Sequence, residues 1–542
     1  MKKHLFSLSL VALATSQTHA ATSYRLEILD QPVGKYQTTA SAIAADGTVL
    51  GAVSSRVQLT DTTNSIYSDL LGLYDSDTVS ALVTDLGLSH FSSSNAFTSQ
   101  PSLTLVPGLG GDGNDLTVDS YVTGSLDGQA FGSSSAPWLS PVTYTNSTGT
   151  EITAYPRDFS LRGFIGNDSS AQPLLPLYTF PETTRNGETV LTADEHFGGS
   201  SQASGASGQW VVGSSSSALS SGSETTYENC QSADSTVPIK VCLASESYQI
   251  TATAWQLVNG VPQAPKSLGA LATANSDEDP AKIYSVANAV NASGLAVGNS
   301  IYRDGNTLRS VATLFDVNQG KALKALTATD SSIVGSDATG INDAGLAVGY
   351  TYSVGSYHPY KFFVYDTNND SISYPGTFYD NARSRANAIN SSGLVVGAAD
   401  WEKLPPSATR RQHAFVYDTN NQSFKDLNDM LEFDGSLLTQ RYNGDACAAR
   451  EDWVLENASG INDNGEIAAT ALTTLRDSSG NLVLDSDGKT QYVIRAVKLV
   501  PTDDTPATCE AAQDATYQRK GGGSFGFLSL GFLGLVGLRR RR

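Results

Sequence analysis

The stretch that decides the fold is Ala386-Asn-Ala-Ile-Asn-Ser-Ser-Gly-Leu-Val-Val-Gly397. The alternating alanines at its start share one face of a strand, since side chains alternate across a strand. Asn390-Ser391-Ser392-Gly393 is typical of a tight turn in which the glycine supplies a positive φ. Leu394–Val396 then predicts a returning strand. The stretch therefore predicts a β-hairpin.

The same hairpin pattern recurs along the chain, which indicates a repeat architecture. A third strand follows at Ala414–Tyr417, then a turn at Asp418–Asn421 and a fourth strand at Ser423–Leu427. Four antiparallel strands per unit are typical of a propeller blade. The other copies are Ala40–Gly51, Ala287–Gly298, Ala338–Gly349 and Ala458–Ala469, with weaker copies at Tyr121–Gly132 and Ala203–Gly213.

The repeat count predicts an all-β fold, a seven-bladed β-propeller with insertions in its N-terminal blades. A β-solenoid or two β-sandwich-like domains are the alternatives. We expect a β-repeat half over residues 21–280, C-terminal repeats over 281–500 and a linker over 501–520. The turn glycines of the seven units are Gly47, Gly128, Gly208, Gly294, Gly345, Gly393 and Gly465.

Two resemblances accompany this pattern. The unit ending in Gly397 is followed by His413-Ala414-Phe415-Val416-Tyr417-Asp418, and together these resemble the extracellular HAF repeat. The whole chain is similar to the family known as domain of unknown function (DUF) 3466. The resemblance implies a secreted β-repeat protein and implies no activity.

Both ends of the chain read as export signals. Lys2 and Lys3 precede a short apolar run, which predicts a signal peptide over residues 1–20, cut after Ala20. The segment 521–542 joins Gly521-Gly522-Gly523-Ser524 to an apolar run and to four arginines, Arg539–Arg542. This tail resembles the GlyGly-CTERM sorting signal. The resemblance implies transient membrane insertion, cleavage near Gly521–Ser524 by a rhombosortase-type protease, and delivery by type II secretion to the cell surface or the medium.

The body of the chain is strongly acidic. The sequence has 34 basic and 54 acidic residues, and six of the basic ones lie in the two end segments, leaving 28 against 54 and a net charge of −26. Such a charge repels nucleic acid and anionic lipid, so we exclude both as partners of the body.

Four cysteines in an oxidising compartment predict two disulfides. Closeness in sequence favours the pairs Cys230–Cys242 and Cys447–Cys509 among three possible connectivities.

Signals for metals and catalysis are sparse. Gly110-Gly111-Asp112-Gly113-Asn114-Asp115 matches the start of a calcium-binding repeat, so Asp112, Asn114 and Asp115 are candidate calcium ligands. Asp485-Ser486-Asp487-Gly488 is a second candidate that also suits a metal-free hairpin turn. No other cofactor is expected. The remaining histidines lack metal-ligand spacing, and we expect His413 to stabilise its turn: His90, His196, His358 and His413.

These observations predict a secreted or surface-anchored interaction protein without catalytic activity. Its ligand would be a glycan or a protein. A cluster of tyrosines near His358 either contacts this ligand or packs between blades: Tyr350, Tyr352, Tyr357 and Tyr360. The alternative is a secreted polysaccharide hydrolase or lyase with paired carboxylates across the propeller mouth. The Ser/Gly-rich stretch 198–226 is expected to be an exposed insertion.

Overall fold

A computed structural model describes residues 23–29, 37–58, 90–99, 102–109, 118–167, 170–244, 246–276, 278–327, 333–353, 360–404, 410–477 and 479–509. The chain divides into a compact unit over residues 1–506 and a second over 507–542. The first unit is an all-β, seven-bladed β-propeller, which confirms the predicted fold.

Blades 1 to 6 are antiparallel sheets built on four strands in sequence order, and blade 3 has one additional short strand. The strands of blade 1 are Gln37–Ile43, Val49–Gln58, His90–Ser99 and Leu103–Val106. Those of blade 2 are Ser120–Leu126, Gln129–Ser134, Arg162–Gly166 and Ala171–Leu174. Those of blade 3 are Ser201–Ser207, Trp210–Leu219, Tyr248–Val258 and Lys266–Gly269, with the short Val261–Pro262. The strands of blade 4 are Ser285–Val290, Leu295–Asp304, Thr307–Asp316 and Lys321–Ala325. Those of blade 5 are Ile333–Ile341, Leu346–Ser353, Tyr360–Asp366 and Ser371–Ser373. Those of blade 6 are Ser384–Ile389, Leu394–Asp400, Gln412–Asp418 and Ser423–Asp426.

Blade 7 closes the ring by joining both ends of the repeat region. Its first three strands are Val454–Ile461, Ile467–Thr474 and Tyr492–Thr502, and its fourth is Ser23–Ile28 from the start of the described chain. The closing strand pairs antiparallel with Tyr492–Thr502 on one side and parallel with Leu431–Phe433 on the other. The first strands of neighbouring blades contact each other all the way round, so they line the central channel.

The remaining elements lie in connections between strands. Within the described residues, the α-helices are Ser221–Gln231, Ile239–Cys242, Gly435–Tyr442 and Ala446–Asp452, and the 3-10 turns are Ala193–Glu195, Pro280–Lys282 and Asn428–Met430. Two further hairpins pair Val142–Thr145 with Glu151–Ala154 and Thr183–Arg185 with Glu188–Leu191. No described helix is long and apolar enough to cross a membrane.

The repeat asparagine explains why the motif recurs. In blade 6 the Oδ1 of Asn390 accepts from the backbone N–H of Leu394 at 2.9 Å, which fixes its own turn. Its Nδ2 donates to the carbonyl of Asn462, in the corresponding turn of blade 7, at 3.1 Å. The equivalent bonds to the next blade run from Asn291 to Asn342, Asn342 to Asn390, and Asn462 to Ala44. The last bond joins blade 7 to blade 1, so the same amide links consecutive blades across the closure.

Every blade also carries a β-bulge at the same place in its first strand. The residue before the bulge in four blades is a fully buried alanine that packs between neighbouring blades, at positions 287, 338, 386 and 458. The bulged residues are Ser41, Thr123, Ser204, Asn288, Thr339, Asn387 and Ser459. Because a bulge releases its residue from the ladder, the side chain is available to the next blade. Thr339 and Asn387 donate to the carbonyls of Ala386 and Ala458 at 2.9 and 2.8 Å.

All seven predicted turn glycines have a positive φ, between 58° and 84°. The predicted Cys230–Cys242 disulfide is present with a Cα–Cα distance of 5.8 Å. Cys447 and Cys509 are also in disulfide form, so no cysteine in the described chain is free.

The expectation for the Ser/Gly-rich stretch is wrong. The Ser/Gly-rich stretch 198–226 is not an exposed insertion, because it supplies the two inner strands of blade 3. Ser214, Ser215 and Ser216 are buried there. The hydroxyl of Ser215 is hydrogen-bonded to that of Thr253, and the hydroxyl of Ser216 donates to the carbonyl of Tyr178.

Candidate functional site

The two ends of the propeller differ in the length of their connections. One end, here called the turn face, carries the short turns between first and second and between third and fourth strands, such as Asn390–Gly393 and Asp418–Asn421. The other end, the loop face, carries the connections between second and third strands and between blades. Its longer described connections include 135–161, 175–200 and 427–453. Variable, long connections on a rigid ring are where binding sites form.

Two oppositely charged residues lie on neighbouring first strands, which line the channel. Asp337 and Arg385 occupy the same position in the first strands of blades 5 and 6, directly before the buried alanines Ala338 and Ala386. Asp337 accepts from the Nδ2 atoms of Asn288 and Asn299 of blade 4 at 2.8 and 3.0 Å. These hydrogen bonds link blades 4 and 5 through the carboxylate, and Arg385 of blade 6 acts on it through its charge.

The environment of Asp337 favours its protonated form. Burial among protein atoms at the channel wall raises the pKa of Asp337 to about 6, although hydrogen bonds from Asn299 and Asn288 and the charge of Arg385 oppose the shift. The residue nevertheless keeps partial solvent exposure. A carboxyl group with a perturbed pKa in a cleft is a recognised marker of a functional site.

Three tyrosines form an aromatic cluster beside this pair. The ring centroids of Tyr350 and Tyr352 lie 5.8 Å from that of Tyr360, and both pairs are edge-on. The guanidinium of Arg385 lies over Tyr360 at 4.1 Å and over Tyr350 at 4.7 Å. Burial raises the pKa of Tyr350, and that of Tyr352 to about 12, so both hydroxyls stay protonated and can donate hydrogen bonds. We call Asp337, Arg385 and these three tyrosines the channel-mouth site.

The structure describes three of the four tyrosines named in the sequence analysis. Tyr350, Tyr352 and Tyr360 pack on one another and are all half-buried, so they combine inter-strand packing with partial exposure. Tyr357 and His358 lie outside the described residues. Sequence reasoning missed Asp337 and Arg385. An alignment of the repeats on their first alanine would have found them, since it places Asp and Arg at one position of consecutive units.

The calcium prediction at Asp112, Asn114 and Asp115 falls outside the described residues, as do Ala20 and the tail Gly521–Ser524. In the second candidate, the Oδ1 of Asp485 accepts from the backbone N–H groups of Asp487 and Lys489, both at 2.9 Å, as in a metal-free turn. Over the described ranges, no group of three or more His, Cys, Asp or Glu residues is placed to hold a metal ion.

His413 does not stabilise the turn as expected. It is buried, and its Nδ1 lies 2.7 Å from the Oδ2 of Asp426 in the fourth strand of blade 6. His196 ends a 3-10 turn in the left-handed conformation, with φ 45°.

Comparison with known proteins identifies the family. Residues 2–541 match the family described as "Protein of unknown function (DUF3466)", and the chain belongs to that family. No curated protein matches the chain.

Several solved structures share a weak likeness. An oligogalacturonate lyase from Vibrio parahaemolyticus is 9% identical over 88% of this chain and 97% of its own, with a TM-score of 0.34. A protein of unknown function from Dyadobacter fermentans is 10% identical over 89% of this chain and 99% of its own, with a TM-score of 0.33. The phage phi92 endosialidase is 9% identical over 92% of this chain and 72% of its own, with a TM-score of 0.34. At these values the likenesses carry no argument about function.

Proposed function

We propose that this propeller is a non-catalytic extracellular binding protein that holds a glycan at the channel-mouth site. The observation that carries the proposal is the cluster of Tyr350, Tyr352 and Tyr360. The guanidinium of Arg385 lies over two of its rings, those of Tyr350 and Tyr360. Aromatic rings offer apolar faces to sugar rings, and their hydroxyls donate to sugar oxygens. Asp337 adds an acceptor beside them, so the site combines apolar faces with fixed polar groups, as small-ligand sites do.

A glycan array probed with the full chain tests this proposal. Tyr352→Ala and Arg385→Lys are expected to weaken binding of the array's positive glycans by at least about tenfold, because each removes a ring face or the planar guanidinium. Tyr144→Ala is the control, since Tyr144 lies in the Val142–Thr145 hairpin away from this site. Equal glycan binding by the natural protein and its three variants would contradict the proposed site. Binding only to protein ligands would show that the ligand is a protein and not a glycan.

One observation favours the enzymatic alternative, a secreted polysaccharide hydrolase or lyase. The raised pKa of Asp337, about 6, is of the kind that suits a general acid. Glycoside hydrolysis usually needs a second carboxyl group, whereas the groups that act on Asp337 in the described structure are amides, a hydroxyl and a guanidinium. We therefore favour binding. New reducing ends or unsaturated products from an array-positive polysaccharide, abolished by Asp337→Asn, would establish catalysis instead.

The proposal includes export to the cell surface or the medium. The two disulfides are consistent with an oxidising compartment. The tail resembling GlyGly-CTERM supports delivery by type II secretion after cleavage by a rhombosortase-type protease. Intact-mass measurement of the mature surface protein is expected to show loss of residues 1–20 and of the segment after Gly521–Ser524. Retention of residues 525–542 would indicate a permanent anchor.

A further inference from the structure

We propose that Trp401, on the loop face of blade 6, is a second saccharide subsite, so that the ligand is an oligosaccharide reaching beyond the channel mouth. This inference rests on the proposed glycan binding and extends it to a part of the surface that the channel-mouth site does not include. Trp401 is 42% exposed, the largest exposure among the five tryptophans of the chain, whereas Trp255 and Trp453 are almost completely buried.

The indole of Trp401 is held rigidly. It stacks on the imidazole of His413 with a centroid distance of 4.5 Å and an interplanar angle of 12°. The backbone N–H of Trp401 donates to the carbonyl of Arg411 at 3.0 Å. The imidazole covers one face of the indole, and 42% of Trp401 stays exposed.

The support beneath the indole is also fixed. His413 is paired with Asp426, and the ring of Phe378 meets the imidazole edge-on at 6.2 Å. The Oδ1 of Asp426 accepts from the backbone N–H and the Nδ2 of Asn428 at 2.9 and 3.0 Å. An exposed tryptophan loses hydrophobic stabilisation, and here a chain of buried polar contacts holds it in place. Pre-organised aromatic rings of this kind lower the entropic cost of binding.

Polar groups beside the indole suit a sugar. The Nε of Arg411 donates to Glu402 at 2.6 Å, and the guanidinium carbon lies 5.6 Å from the indole centroid. Glu402 accepts and Arg411 donates, so the pair offers both kinds of hydrogen bond to sugar hydroxyls. A peptide or protein partner would also use a tryptophan, but an aromatic platform flanked by a mixed donor and acceptor pair favours a polyhydroxylated ring.

The register of blade 6 sets the distance between the two subsites. Arg385 of the first strand lies opposite Ala398 of the second, and Trp401 follows three residues later. With about 3.3 Å per residue and about 4.8 Å between strands, the two Cα atoms are roughly 11 Å apart. An oligosaccharide can span this separation.

Oxidation by N-bromosuccinimide tests the subsite on the full chain. Trp401 is expected to be oxidised first, as mapped by mass spectrometry of peptides. Cellohexaose, chitohexaose and hexaguluronate are the probes, and at least one is expected to protect Trp401. Trp401→Ala should weaken binding of that hexasaccharide about tenfold and leave the corresponding disaccharide unchanged. The matched control is Trp210→Phe, whose tryptophan begins a strand at the turn face.

The outcomes separate the two proposals. Hexasaccharide binding that is lost in Arg385→Lys but unchanged in Trp401→Ala would overturn the second subsite and leave the channel-mouth site standing. Loss of binding in both variants, with Trp210→Phe unaffected, would support both. Binding of none of the probes, together with a negative glycan array, would overturn both. Protection of Trp401 by a peptide and by no saccharide would make this surface a protein-binding site.

Discussion

At the scale of single residues, the repeat asparagine contributes more than its place in a turn suggests. Asn390 is buried and serves its own turn through Oδ1 and the neighbouring blade through Nδ2. Asn390→Ala removes both, and leaves the carbonyl of Asn462 without that donor. We expect a loss of about 1–3 kcal/mol in the free energy of unfolding, measured by denaturant titration.

Asn421→Ala is the control for this substitution. Asn421 is exposed and donates only within its own turn, to Asp418 at 2.7 Å. Its removal is expected to change the free energy of unfolding by about 0.5 kcal/mol or less. Equal effects of the two substitutions would show that the bond between blades contributes little.

Asp337 makes the stability of the fold depend on pH, and the direction of its pKa shift sets the sign of that dependence. Its pKa in the folded protein, about 6, lies above its ordinary value of 3.8, so the folded state binds the proton more tightly than the unfolded state. Stability from this group is present below pH ~4 and is lost as the pH rises through about 6. We therefore expect Asp337→Asn to gain melting temperature relative to the natural protein at pH 7 and to gain little at pH 4. A uniform shift at both pH values would contradict a raised pKa.

At the scale of the element, the first hairpin of each blade depends on its glycine. Gly393 has φ +84°, and an added Cβ would press against the hydroxyl of Thr419. We expect Gly393→Val to reduce the free energy of unfolding by roughly 1–3 kcal/mol, because a β-branched residue is strained there. Gly376→Val is the control, since Gly376 does not have a positive φ and no atom lies within 4 Å of its would-be Cβ. A melting temperature unchanged by Gly393→Val would contradict this account of the turn.

The hairpins also show how far sequence reasoning reaches. Their glycines, asparagines and alternating alanines are local signals, and they predicted seven blades with the correct turns. The prediction for the stretch 198–226 was wrong because a run of serines is typical of a solvated segment. Ser214–Ser216 are instead buried, and the hydroxyls of Ser215 and Ser216 bond to residues distant in sequence. Of the channel-mouth site, the sequence predicted only the tyrosines, because the other two residues also depend on contacts between distant parts of the chain. Asp337 and Arg385 are about fifty residues apart in the chain, and only ring geometry brings them together.

At the scale of the whole molecule, one strand keeps the ring closed. Ser23–Ile28 lies between Tyr492–Thr502 and Leu431–Phe433, and the Oγ of Ser23 donates to the carbonyl of Asp504 at 2.6 Å. Leu26 is 3% exposed within the core of blade 7. Leu26→Asp would bury a charge there, and we expect a loss of roughly 3–5 kcal/mol. Limited proteolysis should then release fragments from several blades, because an open ring loses the contacts between them.

Arg25→Asp is the matched control, since Arg25 is an exposed neighbour on the other face of the strand, with a surface ion pair to Glu27 at 3.3 Å. It should leave the proteolytic pattern and the melting temperature nearly unchanged, as surface ion pairs contribute about 0–1 kcal/mol. Cleavage confined to blade 7 in Leu26→Asp would show that the blades are stable independently of closure.

The closing strand also has a consequence for biosynthesis, because it must wait for partners that are synthesised last. Ser23 and Thr502 are joined by a hydrogen bond at 2.7 Å although 479 positions separate them. At ~5–20 residues per second, the ribosome takes roughly half a minute to a minute and a half to travel that distance. Neither partner of the earliest strand, Leu431–Phe433 or Tyr492–Thr502, is synthesised until late in that interval, and its apolar side chains remain open to wrong pairings until then. The nascent chain is therefore expected to depend on a holding chaperone for longer than a protein of equal size whose first strand pairs with its second.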